Sequence, residues 1–270
     1  MVVQHNMQAV NTNRMLGTNV KAVAKATEKL SSGFAVNRAA DDAAGLSISE
    51  KMRNQIRGIN QAVKNSEDGV SLIQTAEGNM NEIHSILQRM GELATKAAND
   101  VNATEDRTAI QNEITELTAE IDSISNKAAF NGTKLLNGDF KDKNLQVGAV
   151  AKENMAITIA TMSASKLGVT SLSMASHGSA SDAMSKISAA IKTVSAARSE
   201  LGAKQNRLEY TINNLNNYSE NLTSAESQIR DTDMASEMTN YTKNNILQQA
   251  AQSMLAQANQ STQGVLSLLG

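Results

Sequence analysis

The sequence predicts a mainly α-helical protein, an elongated antiparallel helical bundle or coiled coil that carries one small β-hairpin. Three observations favour this fold class. The chain of 270 residues contains no proline, aromatic residues make up only 2% of it, and apolar residues recur every three or four positions over long distances. Because proline interrupts helices and aromatic rings fill compact cores, these features indicate long, thin helices that pack along apolar seams.

The first helix is predicted by an apolar seam near the amino terminus, and its end is marked by a glycine. The seam residues are Leu16, Val20, Val23, Thr27 and Leu30. Gly33 is a favourable helix stop, and Asp41 and Asp42 stand where the positive end of the next helix is expected. We therefore predict a join between two helices within residues 31–49.

Three longer seams predict the middle of the chain as a three-helix bundle. They cover residues 52–90, 110–128 and 184–229, and each keeps a mean spacing close to 3.5 residues. A helix over residues 181–229 would be about 75 Å long, which does not fit a globule of this size. The bundle is therefore predicted to be elongated.

Residues 131–180 interrupt the helical pattern. Asn131-Gly132 and Asn137-Gly138 are turn signals. The segments 144–150 and 154–162 then read as two short strands on either side of a turn at Lys152 and Glu153. The predicted β-hairpin lies within about residues 140–165.

The carboxyl-terminal seam mirrors the amino-terminal one. Its members are Leu247, Ala251, Met254, Ala258, Ser261, Val265 and Leu268. Two seamed helices at opposite ends of a chain that folds back can pair with each other. We therefore predict two domains: a terminal-helix coiled coil formed by residues 1–40 and 231–270, and a helical bundle with the β-hairpin formed by residues 41–230.

The segment 244–270 has an unusual composition. It contains nine Asn or Gln residues and no charged side chain. Amides stay hydrated without producing the electric field of an ionised group. The pattern is typical of a helix that needs a wet surface on which charge is unfavourable.

Composition argues against several classes of function. A net charge of −2 gives no reason to expect nucleic acid as a partner, and the absence of cysteine removes thiolate metal sites. No apolar run is long enough to cross a membrane, and the first residues lack an ordinary secretory signal. The three histidines, His5, His84 and His177, fall in separate regions outside any ligand motif. We expect no enzyme activity, no cofactor and no contact with membrane or nucleic acid.

Four blocks of the sequence resemble bacterial flagellin, and they occur in the expected order. The blocks are KLSSGFAVNRAADDAAGLSISEKMRNQIRGINQA (29–62), NSEDGVSLIQTAEGNMNEIHSILQRMGELATKAAND (65–100), FNGTKLLNG (130–138) and RLEYTINNLNNYSENLTSAESQIRDTDMASEMTNYTKNNILQQAAQSMLAQANQ (207–260). Many flagellins carry a large variable insert between the conserved halves, where this chain has only residues 165–180. The chain therefore resembles a short form with the two inner domains.

The resemblance implies a structural subunit that self-assembles into the extracellular helical filament of the flagellum and serves motility. It implies that the subunit leaves the cell through type III export and that the terminal helices line the filament core. The implied partners are copies of the same chain, the flagellar cap and hook-junction proteins, and an export chaperone at the carboxyl-terminal region. A hook–filament junction protein and a coiled-coil signalling rod remain the alternatives.

The resemblance also implies two sets of site residues. The first set forms the subunit interface or the filament core: Leu16, Val20, Val23, Leu30, Asp41, Asp42, Arg53, Leu247, Ala251, Met254, Ala258, Val265 and Leu268. Arg38 lies near the same joint. The second set corresponds to the surface read by the vertebrate Toll-like receptor for flagellin: Gln88, Arg89, Leu93 and Glu113. Gly91 stands where that motif usually has a second basic residue.

Overall fold

The computed structural model describes residues 6–269, and it describes side-chain surroundings for residues 6–261. The mainly helical prediction is confirmed. The helices are α1 (Met7–Ser32), α2 (Ala43–Ala97), α3 (Thr104–Lys127), α4 (Ala164–Leu167), α5 (His177–Arg230) and α6 (Met234–Leu269). The strands are β1 (Ala129–Phe130), β2 (Thr133–Lys134), β3 (Lys143–Gln146) and β4 (Asn154–Ile157). None of the described helices is long and apolar enough to cross a membrane.

The chain forms two compact units. One contains residues 1–56 and 220–270, and the other contains residues 57–219. These boundaries fall inside α2 and α5, whereas the sequence suggested a division near residues 40 and 230, where helices end. Local stop signals mark the ends of helices, but a long continuous helix can run from one compact unit into the next.

The core of the central unit is built from aliphatic side chains on three long helices. Fully or almost fully buried residues follow the predicted seams: Ile73, Met80, Ile83, Leu87 and Met90 on α2, Ile110, Ile114 and Ile121 on α3, and Ile187, Val194, Leu201 and Leu208 on α5. Full burial of each large side chain contributes about 1.5–3 kcal/mol. This unit therefore has an apolar core of its own.

Glu77 and Arg198 are charged residues that interrupt the apolar seams of α2 and α5. The structure pairs them, with a guanidinium nitrogen of Arg198 3.2 Å from Oε1 of Glu77. Sliding one helix along the other would place each charge against an apolar side chain. The pair therefore favours one register of the antiparallel helices, as polar groups in coiled-coil seams do.

The predicted β-hairpin is present, and a second, smaller strand pair accompanies it. Strands β3 and β4 are antiparallel, with Leu145 opposite Met155. They are shorter than the segments read from the sequence. The additional pair β1–β2 closes around Asn131 and Gly132, whose φ angles are 47° and 77°. Two consecutive positive φ angles favour the tight two-residue hairpin turn, so this Asn-Gly pair forms the turn of the small hairpin.

Two glycines of α2 allow the β3–β4 region to approach the helix closely. A Cβ atom at Gly69 would collide with the side chain of Leu145, and one at Gly58 would lie 3.0 Å from Cβ of Ala149. The absent side chains therefore leave the space that the hairpin occupies. This contact covers one face of the central unit.

Candidate subunit interface

Helices α1 and α6 pack as an antiparallel pair, and the shielded positions of each follow a heptad rhythm. On α1 these positions are Ala9, Thr12, Leu16, Asn19, Val23, Ala26 and Leu30. On α6 they are Glu237, Tyr241, Asn244, Gln248, Ala251, Leu255 and Ala258. Both sets alternate in steps of three and four, but small and polar residues occupy many of the positions. The face between the two helices is therefore poor in large apolar side chains.

Many large apolar residues of this pair lie instead on its outside. Val10 is 63% exposed, Ile246 60% and Met254 62%. The other exposed large apolar residues on the described parts of the two helices are Met7, Met15, Val20, Met234, Met238 and Leu247. Ala26 and Ala258 are the buried apolar residues of α1 and of the described part of α6. An isolated pair of this kind leaves most of its apolar surface in water.

The structure separates the predicted seam residues into two groups. Leu16, Val23, Leu30 and Ala251 are half-buried and Ala258 is buried, as expected for the face between the helices. Val20, Leu247 and Met254 are exposed and lie outside that face. Their part in contacts between copies stays a prediction. The side chains of Val265 and Leu268 lie outside the described residues.

Three exposed amides of α6 lie on a different side of the helix from Leu247 and Met254. Gln249, Gln252 and Gln260 are exposed and lie at helical spacing on one side of the helix. Leu247 and Met254 are seven residues apart and share another side. The helix thus presents one apolar flank and one uncharged polar flank.

Asn6 joins the start of α1 to α6 and was not identified from the sequence. Its side-chain oxygen accepts a hydrogen bond from the backbone N–H of Ala9, while its amide nitrogen donates to the carbonyl of Ala258 at 2.8 Å. Asparagine before a helix is a recognised capping signal, which could have indicated the first bond. The second bond joins positions 252 residues apart, which local reasoning does not reach.

The opposite end of the helix pair is closed by backbone hydrogen bonds across the joint. Gly33 ends α1 with φ 77°, a left-handed conformation that suits glycine. The backbone N–H of Ala35 donates to the carbonyl of Arg230 at 2.7 Å, and that of Thr232 donates to the carbonyl of Gly33 at 3.0 Å. The two chain segments therefore form a short antiparallel bridge.

Arg230 fastens this joint with its side chain. The guanidinium lies 4.8 Å from the centre of the Phe34 ring, and Nη1 is 2.7 Å from Oε1 of Glu50. The side chain of Arg230 is only 12% exposed. A cation that combines ring stacking with an ion pair in a partly desolvated position is worth more than a surface pair.

Asp41 organises the loop between α1 and α2. Its carboxylate lies 2.8 Å from Nζ of Lys25 and accepts hydrogen bonds from the backbone N–H groups of Arg38 and Asn37. Lys25 and these N–H groups lower the pKa of Asp41 from 3.8 to about 2. The same contact raises the pKa of Lys25 above its usual 10.5. Asp41 thus stabilises the loop in its ionised form.

The other charged residues of the joint also have partners within the chain. Asp42 accepts a hydrogen bond from the N–H of Gly45 at 2.9 Å and so caps the start of α2. Arg38 donates to Glu28 at 2.8 Å, and Arg53 lies 3.9 Å from Glu50. Whether any of them also contacts a second copy stays a prediction.

The second predicted surface lies on α2 and α3. Arg89 donates from Nε and Nη2 to Oε1 of Glu113, at 3.1 and 2.9 Å, and also pairs with Glu92. Gln88 is exposed and lies beside His84, whereas Leu93 is buried with 4% exposure. Three of the four predicted residues therefore share an accessible polar patch, and Leu93 lies in the core beneath.

Among the residues that the structure describes, no cluster of three or more His, Asp, Glu or Cys side chains could hold a metal ion. The surfaces described above consist instead of apolar flanks, amides and ion pairs. Such surfaces are suited to protein–protein contact.

The environment of Asp41 predicts a pH dependence of stability. Because the pKa falls on folding, the stabilisation by Asp41 is complete above pH 3.8 and disappears as the pH falls through about 2. We expect Asp41→Asn to lower the melting temperature at neutral pH. The difference from the unmodified protein should vanish near pH 2, as measured by circular dichroism across a pH series. A difference that persists unchanged at pH 2 would contradict the role of the ionised carboxylate.

Comparisons with known proteins place these features in a family. Residues 3–141 match the bacterial flagellin N-terminal helical region, and residues 184–269 match the bacterial flagellin C-terminal helical region. A flagellin from Halalkalibacterium halodurans is 51% identical over 271 residues, which cover 100% of both chains. The flagellar filament 31.3 kDa core protein of Treponema maltophilum is 45% identical over 285 residues, again with 100% of both chains covered.

A solved structure agrees with the sequence matches. The crystal structure of Bacillus cereus flagellin has a TM-score of 0.51 to this chain and 29% sequence identity, and the match covers 56% of this chain and 88% of that one. Both conserved helical regions and the full length of close relatives are thus matched. This chain belongs to the bacterial flagellin family.

Proposed function

We propose that this chain is a structural subunit that self-assembles into the helical flagellar filament, outside the cell, for motility. The observation that carries the proposal is the arrangement of α1 and α6, many of whose large apolar side chains are exposed on the outside of the pair. Relatives named flagellin and flagellar filament core protein over their full length support it. The names of these relatives describe structural proteins, which supports a function without catalysis.

The energetics of the helix pair favour contact with copies of the same chain. Burying the exposed half of one Met, Leu or Val side chain contributes about 1 kcal/mol. Several such residues on one subunit therefore supply several kcal/mol when neighbours cover them. Contacts between unlike surfaces of identical subunits generate an open helical polymer when the rotation between neighbours does not close a ring.

We assign the two predicted domains distinct roles in the filament. Residues 1–40 and 231–270 are proposed to form the coiled coil that lines the filament core, and residues 41–230 the helical bundle. The apolar flank of α6, with Leu247 and Met254, contacts neighbouring subunits in this proposal. The amide flank, with Gln252 and Gln260, faces the water-filled channel.

Leu247 and Met254 provide a test of the assembly surface. We expect the double variant Leu247→Gln and Met254→Gln to lose polymerisation, raising the protein concentration needed for filaments by about tenfold or more, because each residue gives up about 1 kcal/mol of intersubunit burial. Light scattering and negative-stain electron microscopy measure the effect. Circular dichroism of the monomer should change little, since both side chains are already exposed.

The matched control for this test is Ala256→Gln. Ala256 is also exposed on α6 but lies on the side of the amides. This variant should polymerise normally. If the control and the double variant polymerise equally well, the apolar flank does not form the contact between copies.

The amide flank gives a second prediction, which concerns charge. We expect Gln252→Lys combined with Gln260→Lys to shorten filaments, because fixed charges on a channel wall attract or repel the charged, unfolded chains that pass through it. Filament length on cells and the amount of secreted subunit are the measurements. The control replaces the same residues with Ser, which removes the amides without adding charge. Full-length filaments from the Lys variant would refute the channel assignment.

Asp42, Arg53 and Arg38 are proposed to make polar contacts between subunits near the joint. The support is their position on the surface beside a rigid joint, and their contacts within the chain leave part of each side chain accessible. Asp42→Ala tests this assignment, because it should impair polymerisation more than monomer helicity. Equal loss of both properties would indicate that Asp42 acts only as a helix cap.

The remaining partners follow from membership of the family. We propose that the flagellar cap and hook-junction proteins contact the subunit during and after assembly, and that an export chaperone binds the carboxyl-terminal region before export. The exposed apolar residues of α6 support the chaperone assignment, because they need cover in the cytoplasm. Removing residues 234–269 should abolish chaperone binding in a pull-down experiment if this surface is the site.

The polar patch around Arg89 is proposed to contact the vertebrate Toll-like receptor for flagellin. Gln88, Arg89 and Glu113 are accessible, whereas the burial of Leu93 limits its contribution. Arg89→Ala should weaken binding of the monomer to the receptor ectodomain by about tenfold or more, as expected when a hydrogen-bonded charge is lost from an interface. Surface plasmon resonance measures the affinity. The control Lys64→Ala, at an exposed position elsewhere on α2, should bind normally.

The alternatives are a hook–filament junction protein and a coiled-coil signalling rod. Neither is favoured, because the full-length relatives are flagellins and filament core proteins. Electron microscopy of the purified protein under polymerising conditions separates the three functions. Long helical filaments support the proposal, and soluble rods oppose it.

A further inference from the structure

Two Asn-Gly pairs follow α3, and the structure places them in different surroundings. Asn131-Gly132 forms the turn between β1 and β2, and Asn137-Gly138 lies in the loop before β3. Asn-Gly is the dipeptide most prone to spontaneous deamidation, because glycine has no side chain to hinder the reaction. In the folded chain, the deamidation rate of each asparagine therefore depends on how freely its side chain can move.

The chemistry needs only water and hydroxide ion. Hydroxide removes the backbone N–H proton of the glycine, and the nitrogen attacks the side-chain carbon Cγ of the asparagine. A C–N bond forms and the Cγ–Nδ2 bond breaks, and the departing nitrogen takes a proton from water and leaves as ammonia. Water then opens the resulting succinimide ring at either carbonyl, giving aspartate or isoaspartate. The asparagine side chain must be free to rotate towards the glycine nitrogen.

Asn131 meets these requirements. It is exposed, and its side chain makes no hydrogen bond among the described residues. The turn is held by only two residue pairs, Ala129 with Lys134 and Phe130 with Thr133. An isolated ladder of this size is marginal, so it opens locally at small free-energy cost. The base of the loop remains closed by the bond from the N–H of Leu135 to the carbonyl of Ala128, at 3.0 Å.

Asn137 is restrained on both sides of its amide. Its side-chain oxygen accepts a hydrogen bond from the backbone N–H of Asp139 at 3.0 Å, and its nitrogen donates to the Asp139 carboxylate. The preceding residue Leu136 is fully buried, and its carbonyl accepts bonds from the N–H of Met162 and the hydroxyl of Ser125. Rotation of Asn137 towards Gly138 would break bonds that Asn131 does not have.

We propose that Asn131 is a site of spontaneous deamidation in the folded protein, and that Asn137 is protected by its contacts with Asp139. The product at position 131 carries a new negative charge in an exposed turn. The isoaspartate form also lengthens the backbone of a turn that has only two residues. If the chain is a filament subunit, as proposed above, the modification accumulates with the age of each subunit, because an exported subunit is not replaced in place.

The test uses the purified full-length chain in solution, so it does not depend on filament formation. The protein is incubated in mildly alkaline buffer made with oxygen-18 water, and deamidation at each site is followed by peptide mass spectrometry. Labelling with an isoaspartyl methyltransferase identifies the isoaspartate product. We expect position 131 to react about tenfold or more faster than position 137, since tenfold corresponds to about 1.4 kcal/mol of local restraint.

Two controls keep the outcome decisive. In concentrated urea both Asn-Gly pairs should react at similar rates, because neither keeps its folded contacts. Asp139→Ala should accelerate the reaction at position 137 in the folded protein and leave position 131 unchanged. Equal rates at the two sites in the folded chain would overturn the proposal. Complete protection of position 131 in the folded chain, with reaction in urea, would also overturn it.

Discussion

The constraint on which the rest of the structure depends is the composition of the face between α1 and α6. Asn19, Ala26, Asn244, Gln248 and Ala258 occupy positions where a self-sufficient coiled coil would carry Leu or Ile. The two helices therefore pair around few large apolar side chains. Val10, Ile246 and Met254 lie on the outside of the pair, where only other molecules can bury them. In the proposed filament, identical copies would supply that burial.

The central unit, in contrast, buries many of its large apolar side chains within the chain. Its three long helices bury Ile, Met and Leu along their seams, and the Glu77–Arg198 pair favours one register of α2 and α5. Such a core favours stability of this unit on its own, whereas an isolated pair of helices with few large apolar contacts is expected to be marginal. One chain thus combines a unit with a large apolar core and a helix pair with exposed apolar side chains.

The sequence predicted the long helices correctly because the spacing of apolar residues is a local property. It placed Val20 and Leu247 on the shielded faces of α1 and α6, where the structure has their neighbours Asn19 and Gln248, because valine and leucine are more hydrophobic than asparagine and glutamine. Ranking residues by hydrophobicity assumes that the most apolar side chains pack within their own chain. That assumption fails for Val20 and Leu247, which are exposed on the outside of the helix pair. Local sequence patterns also did not predict the hydrogen bond from Asn6 to Ala258 or the ion pair between Arg230 and Glu50. They join residues far apart in sequence, and only the folded chain brings them together.

Charge is distributed along the terminal helices in a way that complements this balance. The ion pairs Lys25–Asp41, Glu28–Arg38 and Glu50–Arg230 all lie at the joint, while residues 244–270 carry no charged side chain. Exposed ion pairs are worth about 0–1 kcal/mol and are weakened by salt. A polymer that relied on them between subunits would weaken as the ionic strength outside the cell rose. Ion pairs within each subunit fix the local geometry of the joint, and the apolar contacts proposed between subunits would supply cohesion that salt does not screen. The Asn and Gln side chains of residues 244–270 are hydrated without carrying a charge whose effect would depend on salt.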